Sequence, residues 1–588
     1  MPEPLRPVPV PPRKPDAKDR LESWKEIAAY LGREVRTVQG WEKNEGLPVH
    51  RLQHSRLGSV YAFRSELDAW REARKSAGQM EAAAEESSQT AAAQGPIEPR
   101  RLPRAIWFAA AGATILLIAA GVFWAVRHRA SSDTPASIVV LPFLDLSPQK
   151  DQEYFSDGLT EEIIDALSRV PNLRVVARTS AFAFKGRAVD IRQIGQQLNV
   201  NTVLEGSVRK AGDELRITAQ LNRVSDGTHL WSRTFDRQMR DVFAVQREIS
   251  EAIAGQLRAG PVPPRTPTSN LQAYNLFEEG RYFFNQHIPP DSYTKAIDRY
   301  RRAIGLDPNF ALAYAGLADA NAYLAENMVI APKLVMPKAK EAAERAVALD
   351  DSSGEAHTSL GLVKMDYEWD REAAQAEFRR AMQLSPGSGW IRHWYAHSLE
   401  AQGRVNDAVK EMRAALALDP FSVPIYWDIA NELYWSGRYR EQLQHLAKAN
   451  RMFPNNSLLL YFTVLGYAAI GDKPALQESI ERMQAAGAME GIAQTPTFIA
   501  VNGWAAAAAG HRDQALASLA ELERMHATQY VEPYLVMSLC SKLQDRACVA
   551  QWAKRAVDER STQVVYAPMW KQIYEGMPEV ELILSQAR

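Results

Sequence analysis

The second half of the chain repeats a short turn signature at a nearly constant interval. The turns read LDP, LDD, LSP, LDP and MFP, at 306–308, 349–351, 384–386, 418–420 and 452–454. Counted between their third residues, the intervals are 43, 35, 34 and 34 residues. An amphipathic helical stretch with alanine at small-packing positions precedes each turn, and a second helical stretch follows it. Such a unit cannot bury its apolar face alone, so the units must stack into an all-α solenoid with a continuous core.

This 34-residue helix–turn–helix period resembles the tetratricopeptide repeat (TPR), and we expect the array to occupy 269–588. The repeats are regular to about residue 454 and degenerate after it. The interval of 43 residues indicates an insertion, MVIAPKLVMP, at 328–337. Because stacked repeats of this family leave a concave groove, the resemblance implies a protein or peptide ligand in that groove.

The chain has two cysteines, Cys540 and Cys548, which excludes a disulfide-rich scaffold and a cysteine-based zinc site. They flank KLQDRA, which we interpret as the turn between two antiparallel helices. That arrangement would bring the two sulfurs close enough for a disulfide in an oxidising compartment.

The segment 21–75 has the pattern of a small DNA-reading module. Residues 1–80 carry fifteen Lys and Arg against eleven Asp and Glu, a net of +4 that suits nucleic acid without requiring it. In WKEIAAYLGREVRTVQGWEK (24–43), two helical stretches flank Gly32, and Ser23 is the predicted cap of the first. Apolar residues recur every three positions on the second stretch and predict its buried face: Val35, Val38 and Trp41.

The stretches HRLQH and SVYAF that follow predict a hairpin around SRLG, and Ser65 then caps a third helix. The whole pattern resembles the winged helix-turn-helix of the MerR/excisionase type, in which the second helix and the wing grip DNA. The outward positions of the second helix and the wing supply the expected DNA-binding residues: Arg33, Arg36, Thr37, Gln39, Lys43, Arg51, His54 and Arg56.

Gly40 departs from this family pattern, because relatives often carry a long basic residue at that position of the recognition helix. Glycine costs about 1 kcal/mol of helix stability relative to alanine. A module that binds protein instead of DNA is therefore the alternative interpretation of 21–75.

Between this module and the rest of the chain lies a strongly apolar run, AIWFAAAGATILLIAAGVFWAV, at 105–126. Its 22 residues carry no charge and have tryptophans near both ends, which predicts a single transmembrane helix. A disordered, proline-rich basic arm (1–20) and a low-complexity linker (76–104) complete the first part of the chain. A stripe of small residues in the span would pack two copies together as a homodimer: Ala105, Ala109 and Ala113.

The region 137–258 alternates strand-like and helix-like stretches in the order β-α-β-α-β-β-β-α, which predicts an α+β domain with helices on one face of a small sheet. Its ordered motifs LPF, FSDGLTEEI, LNVNTVLEGSVR, DELRITAQL and LWSRTFDR resemble the TolB-N-terminal/FlgO-like domain. Relatives of this layout are often labelled adenylate cyclases because a cyclase domain precedes their span. Here the helix-turn-helix pattern stands in that place.

The sequence predicts no enzyme, no cofactor and no metal, because it lacks the common phosphate-loop, metalloprotease and serine-hydrolase motifs. Asp157, Glu161 and Glu162 are better explained as a helix cap and a charged first turn than as catalytic carboxylates. His393 and His397 lie four residues apart on a repeat helix, where packing between repeats explains them better than a metal.

Together these features predict a multidomain fold: a small winged helix-turn-helix, one transmembrane helix, an α+β domain and an all-α TPR solenoid. The layout is similar to that of membrane-bound one-component regulators of the ToxR/CadC type. It implies a single-pass protein of the bacterial inner membrane, with its N-terminus and DNA in the cytoplasm and its C-terminal region outside. The alternative is a membrane-anchored TPR scaffold for envelope assembly, whose N-terminal module binds protein.

Overall fold

The computed structural model describes residues 19–52, 59–71, 136–149, 152–265, 267–286 and 290–587. The chain divides into two compact units, residues 1–132 and 133–588.

The described residues of the first unit form a three-stranded antiparallel sheet and three helices. Its elements are β1 (Arg20–Leu21), α1 (Trp24–Leu31), α2 (Val35–Glu45), β2 (His50–Leu52), β3 (Ser59–Phe63) and α3 (64–71), with the sheet order β1-β3-β2. The Ser23 hydroxyl caps α1 by accepting a hydrogen bond from the backbone N–H of Glu26 at 3.3 Å. One apolar cluster holds the helices on the sheet; its fully buried members include Ile27, Val38 and Leu67.

The second unit begins with an α+β region built on a mixed sheet. Its elements are β4 (Ser137–Val140), β5 (Leu144–Asp145), α4 (Glu153–Ser168), β6 (Arg174–Val175), α5 (Arg178–Phe182), α6 (Ile191–Leu198), β7 (Thr202–Ala211), β8 (Glu214–Arg223), β9 (His229–Gln238) and α7 (Val242–Gln256). The sheet order is β6-β4-β7-β8-β9, with β5 also paired to β7. The strands β6, β4 and β7 run parallel, whereas β7, β8 and β9 form an antiparallel meander.

The sheet buries one face because β8 alternates apolar and polar side chains. Its inward residues are fully or almost fully buried and join residues of α4 and α7 in one apolar cluster: Leu215, Ile217, Ala219 and Leu221. The predicted strand alternation is confirmed at this strand. The predicted element order omits the short β5 and the short helix α5, because the sequence pattern predicts a strand throughout residues 173–182.

The rest of the second unit is a helical solenoid of eight hairpins within 271–558 of the described chain. The helices are α8 (Leu271–Phe284), α9 (Asp291–Leu306), α10 (Ala311–Glu326), α11 (Pro332–Leu349), α12 (Gly354–Val363), α13 (Arg371–Leu384), α14 (Gly389–Ala401), α15 (Val405–Leu418), α16 (Val423–Trp435), α17 (Tyr439–Met452), α18 (Ser457–Ile470), α19 (Lys473–Met489), α20 (Pro496–Ala509), α21 (Arg512–His526), α22 (Pro533–Lys542) and α23 (Arg546–Asp558). A short final helix, α24 (Pro578–Leu584), follows.

The insertion predicted at 328–337 covers part of the loop between α10 and α11 and the first residues of α11. Met328 adopts a positive φ of 59° after the end of α10, and Pro332 begins α11, which is lengthened to 18 residues. Helical hairpins continue after residue 454, where the sequence period becomes degenerate.

The fold class predicted from the sequence includes a transmembrane helix, and that component is corrected. A helix needs about 20 apolar residues to cross a bilayer. Within the described residues, no helix is both long enough and apolar enough to do so. The run at 105–126 lies outside the described residues. The fold class is therefore a mostly helical, TPR-like solenoid with an α+β region, and the predicted single-pass inner-membrane localisation is not supported.

The α+β region joins the solenoid through a buried charge cluster centred on Arg281 of α8. Its guanidinium lies 2.9–3.4 Å from four carboxylates, and its side chain is only 14% exposed. Three of the four carboxylates come from α4 of the α+β region, and the fourth comes from α8 itself: Glu161, Glu162, Asp165 and Glu278. Burial raises the pKa of Glu278 to about 8, although the Arg281 charge opposes the shift.

Gly158 of α4 makes room for this cluster. A Cβ atom at that position would lie 2.0 Å from the Oε2 atom of Glu278, so no larger residue fits without moving the carboxylate.

Two of the turns that mark the sequence period also contact the α+β region. The backbone N–H of Gly387 donates to the Ser168 carbonyl at 2.9 Å, and that of Ala177 donates to the Leu418 carbonyl at 2.8 Å.

The residues 559–577, which we call the closing segment, lie against solenoid helices that are almost two hundred positions earlier in the chain. Arg560 donates from Nε to the Tyr367 carbonyl at 3.0 Å, and Arg371 donates from Nη2 to the Val565 carbonyl at 2.7 Å. Further along, the side-chain amide of Gln572 donates to the Trp435 carbonyl at 3.3 Å. The closing segment therefore contacts the π-helical turn that follows α12 (Lys364–Glu368), the start of α13 and the end of α16.

An acid pair, Glu326 and Asp366, lies beneath the closing segment. The Tyr566 hydroxyl donates to Oδ1 of Asp366 at 3.2 Å. Burial raises the pKa of Glu326 to about 7 and that of Asp366 well above its usual range, and the negative charge of Glu326 adds to the second shift. The folded protein thus holds a proton on this pair that an unfolded chain would release near neutral pH.

We expect the substitution Arg281→Ala to lower the free energy of unfolding of the second unit by about 3–5 kcal/mol, because it leaves buried carboxylates without a counter-charge. Urea unfolding of the full chain, followed by tryptophan fluorescence, measures the change. The matched control is Arg302→Ala, whose side chain is 56% exposed and pairs with Asp298 at 3.7 Å. The control should cost less than about 1 kcal/mol, and an equal loss in both variants would contradict the role of Arg281.

We also expect a pH dependence of stability that Glu326→Gln removes. A carboxyl whose pKa is raised on folding stabilises the protein fully below its unfolded pKa and loses that contribution as pH rises towards its folded pKa. For Glu326 the window runs from 4.5 to about 7. Across this pH window, the free energy of unfolding of the wild-type chain should fall by at most about 3 kcal/mol relative to that of Glu326→Gln. The control is Glu344→Gln, at a carboxyl that is 54% exposed. The difference in free energy of unfolding between this variant and the wild-type chain should not change with pH.

Candidate functional site

The predicted recognition helix α2 presents its polar side chains to solvent. Val38 is fully buried, and Val35 and Trp41 pack beside it in the core of the first unit. The predicted DNA-facing residues on the turn and helix are all exposed: Arg33, Arg36, Thr37, Gln39 and Lys43. We call these five residues the α2 face.

Arg36 and Lys43 of the α2 face follow one line of the helix with Gly40 between them, because residues three and four apart are neighbours on a helix surface. This line is opposite Val38. A Cβ atom added to Gly40 would meet no atom within 4 Å, so the position has open space around it.

The N-terminal end of α2 has no side-chain cap, and its first turn contains no acidic residue. Gly32 adopts a left-handed φ of 63° that turns the chain from α1 into α2, and Arg33 follows at that turn. The N-cap residue of α2 is the exposed Glu34, so this end of the helix presents charges of both signs.

The cations of the α2 face differ from other cations of the same unit. Arg20 lies over the ring of Tyr61 at 4.0 Å, and Arg64 lies over the ring of Tyr30 at 5.5 Å. In the part of this unit that the structure describes, no ion pair or cation–π contact involves Arg33, Arg36 or Lys43. Their charges are therefore available to a ligand.

The predicted wing is only partly described. β2 and β3 pair antiparallel as a hairpin, with His50 opposite Tyr61 and Leu52 opposite Ser59. Arg51 lies on β2, and its side chain is outside the described residues, as are His54 and Arg56 entirely.

A second polar site lies inside the solenoid, and we call it the inner polar cluster: His393, His397 and Glu400 of α14 with Asp428 and Glu432 of α16. His393 Nε2 is 2.7 Å and His397 Nε2 is 3.4 Å from Oδ2 of Asp428. His397 Nδ1 is 2.8 Å from Oε2 of Glu400. The side chains are largely buried, from 0% exposure for Glu432 to 14% for His397 and Asp428.

The pKa values of the side chains in this cluster shift in different directions. Burial lowers the pKa of His393, whereas for His397 burial is outweighed by the Asp428 and Glu400 carboxylates, which hold its pKa well above the usual range. Burial disfavours the charged form of Asp428, but the two imidazoles bring its pKa down to about 2. Burial, together with the adjacent Glu400 carboxylate, raises the pKa of Glu432 to about 10. A charged His397–Asp428 pair thus lies beside a neutral Glu432.

The sequence interpretation of His393 and His397 missed their acidic partners. His393 and Asp428 are 35 residues apart, as are His397 and Glu432, so each pair occupies nearly equivalent positions of successive repeats. Aligning the repeats on their 34-residue period would have placed these pairs opposite each other.

The interpretation of the acidic stretch in α4 was wrong in its detail. The helix begins at Glu153, four residues earlier than the predicted cap, so Asp157 lies within its second turn. Asp157 accepts hydrogen bonds from Lys185 Nζ at 2.7 and 2.8 Å. Glu161 pairs with Arg178 and Arg281, and Glu162 pairs with Arg281. These carboxylates are ion-pair partners at the junction with the solenoid.

The two cysteines lie near the adjoining ends of α22 and α23. Cys540 and Cys548 form a disulfide in the structure, with their Cα atoms 5.8 Å apart. Both side chains are buried.

Two family models match parts of the chain. The model described as "HilA/YgeH-like transcriptional regulator, second domain" matches residues 134–252, which is the α+β region. The model described as "Tetratricopeptide repeat" matches residues 370–433, which covers α13 to α15 and most of α16.

Curated relatives match in part as well. A protein of Rhizobium meliloti (strain 1021) named "Putative adenylate cyclase 3" is 36% identical over 256 residues, which are 41% of this chain and 42% of the relative. The "Transcriptional regulator HilA" of Salmonella typhimurium is 24% identical over 304 residues, which are 50% of this chain and 53% of the relative. The matches thus span about half the length of these relatives.

Solved structures resemble the chain weakly. The type IV pilus biogenesis factor PilW aligns with a TM-score of 0.31 at 18% identity, over 37% of this chain and 94% of that one. A human IFIT1 dimer aligns with a TM-score of 0.38 at 14% identity, over 58% of this chain and 77% of that one. Likenesses at this level carry no argument about function. From the family models and relatives, the chain contains a HilA-like transcriptional regulator domain and tetratricopeptide repeats.

Proposed function

We propose that this chain is a transcriptional regulator that binds DNA through the α2 face of its first unit and binds a protein or peptide through its solenoid. The observation that carries the proposal is the line of α2 opposite the buried Val38, where the exposed, basic Arg36 and Lys43 lie on either side of Gly40. A helix of this kind fits the major groove, and its cations would neutralise phosphates on either side.

The similarity to HilA supports this proposal independently of the α2 geometry. HilA is named a transcriptional regulator, and the matched family model describes the second domain of such regulators. In our proposal the α+β region and the solenoid act together as the part of the chain that binds the partner, because the Arg281 cluster and the repeat turns join them.

The solenoid is the proposed site for a protein or peptide partner, since stacked helical repeats commonly present such a surface. The closing segment already contacts the turn that follows α12 and the end of α16. A partner that binds the same helix ends would therefore have to displace residues of the closing segment or bind beside them.

The proposal assigns no catalytic reaction to this chain. The name of the Rhizobium meliloti relative concerns a protein of which the match spans 42%. The polar residues of α4 that resemble a catalytic set are committed to ion pairs with Lys185, Arg178 and Arg281.

The test is binding of the purified full chain to genomic DNA fragments of its source organism, between about 50 and 200 mM salt. We expect sequence-selective binding that weakens as salt rises. Arg36→Ala and Lys43→Ala should each reduce the slope of log affinity against log salt by about 1, and Gln39→Ala should cost about 1–3 kcal/mol of selectivity without changing the slope.

Arg302→Ala, an exposed cation of the solenoid, is the matched control and should leave both quantities unchanged. Binding that is neither selective nor sensitive to salt would refute the regulator proposal. It would favour the scaffold alternative, in which the first unit holds a protein.

Gly40 gives a separate prediction. Gly40→Ala should raise the stability of the first unit by about 1 kcal/mol, because alanine is the better helix former and its Cβ has open space. Gly40→Arg places a third cation between Arg36 and Lys43 and should steepen the salt slope by about 1 relative to Gly40→Ala. Comparing the two variants separates helix stability from charge. An identical slope in both would show that this line of α2 does not face phosphates.

A further inference from the structure

We propose that His393, His397 and Asp428 bind one divalent first-row transition-metal ion, such as Zn²⁺, between helices α14 and α16. One ligand atom from each of the three residues lies within 4.8 Å of the other two. Zinc bonds to imidazole nitrogen and carboxylate oxygen at about 2.0–2.2 Å, so tetrahedral ligands are about 3.4 Å apart. Side-chain rotations alone would bring the three atoms to that spacing.

The two histidines lie four residues apart on α14, so their rings project from the same side of the helix. Their ring centroids are 4.8 Å apart. Asp428 faces them from α16 and lies within 3.4 Å of the Nε2 atom of each ring. An imidazole pair on one helix with a carboxylate on the next is a common arrangement of zinc ligands.

Glu400 would orient one of these ligands. It lies 2.8 Å from Nδ1 of His397, on the opposite side of the ring from Asp428. A histidine that binds a metal through one nitrogen usually donates its other N–H to a carboxylate, which fixes the tautomer and the ring orientation. His397 has that arrangement: Nε2 points to Asp428 and Nδ1 to Glu400.

Glu432 lies one helical turn after Asp428 and is 0% exposed. Burial and the adjacent Glu400 carboxylate raise its pKa to about 10, and Glu432 shares a hydrogen bond with Glu400. The proposed ligands are therefore His393, His397 and Asp428 alone.

The proposed site has three ligands, His393, His397 and Asp428, and one orienting carboxylate, Glu400. The 14% exposure of His397 and Asp428 leaves a path for the ion from solvent.

The ion would cross-link two successive hairpins of the solenoid beside the closing segment, since the ring of Tyr566 lies 6.1 Å from that of His397. This inference does not depend on DNA binding by the first unit.

The test uses the purified full chain, stripped with a chelator and titrated with Zn²⁺ in competition with a chromophoric chelator. We expect one tight equivalent per chain. We also expect Co²⁺, as a spectroscopic substitute, to give the visible absorption of a tetrahedral nitrogen–oxygen site. His397→Ala and Asp428→Asn should abolish the tight equivalent, and Glu400→Gln should weaken it by about 10–100-fold.

His445→Ala is the matched control, because His445 is a solenoid histidine outside the cluster that hydrogen-bonds the Tyr426 carbonyl at 3.0 Å. It should bind Zn²⁺ as the wild-type chain does. Circular dichroism checks that each variant is folded. If His397→Ala does not fold, the near-isosteric variants Asp428→Asn and Glu400→Gln provide the test. The absence of a tight equivalent, or its persistence in Asp428→Asn, would overturn the proposal.

Discussion

The buried guanidinium of Arg281 is the interaction on which the architecture of the second unit depends. It lies within ion-pair distance of three carboxylates of α4 and one of its own helix, α8, so the first solenoid helix is held to the α+β region by charge as well as by apolar packing. Every later hairpin stacks on the one before it, and the direction set at α8 is therefore carried along the array. The repeat turns at Gly387 and Leu418 then contact the same region, so two further points of the solenoid are held against the α+β region.

Features that depend on local periodicity could be predicted from the sequence. The 34-residue period identifies the hairpins, Val38 lies on the buried face of α2, and Ile217 lies on the buried face of β8, because helix and strand periods place these side chains without reference to distant residues. The start of α4 could not be predicted in this way. Asp157 and Gly158 have the composition of a helix cap, yet the helix runs through them. Glycine is required there by the carboxylate of Glu278, which is 120 residues away in sequence.

The candidate sites differ in the same way, because one lies on a single helix and the other depends on contacts between helices. The α2 face could be predicted because it lies on one helix. The inner polar cluster could not be assembled from single helices, since its histidines and its carboxylates Asp428 and Glu432 belong to successive repeats and meet only when these stack. The predicted membrane span was inferred from composition alone, and the described helices give it no support. The closing segment has no repeat signature, so its contacts with Tyr367 and Trp435 had no signal in the sequence.

The closing segment also constrains how this array can evolve. Open solenoids gain and lose hairpins by duplication or deletion, because each hairpin contacts only its neighbours. Here Val565 accepts from Arg371 and Arg560 donates to Tyr367, so the chain returns to its own earlier helices after a fixed number of hairpins. One additional hairpin between these points would move both contacts out of register. The hairpin count of this array is therefore a constrained quantity, and its length can vary more freely in loops than in whole repeats.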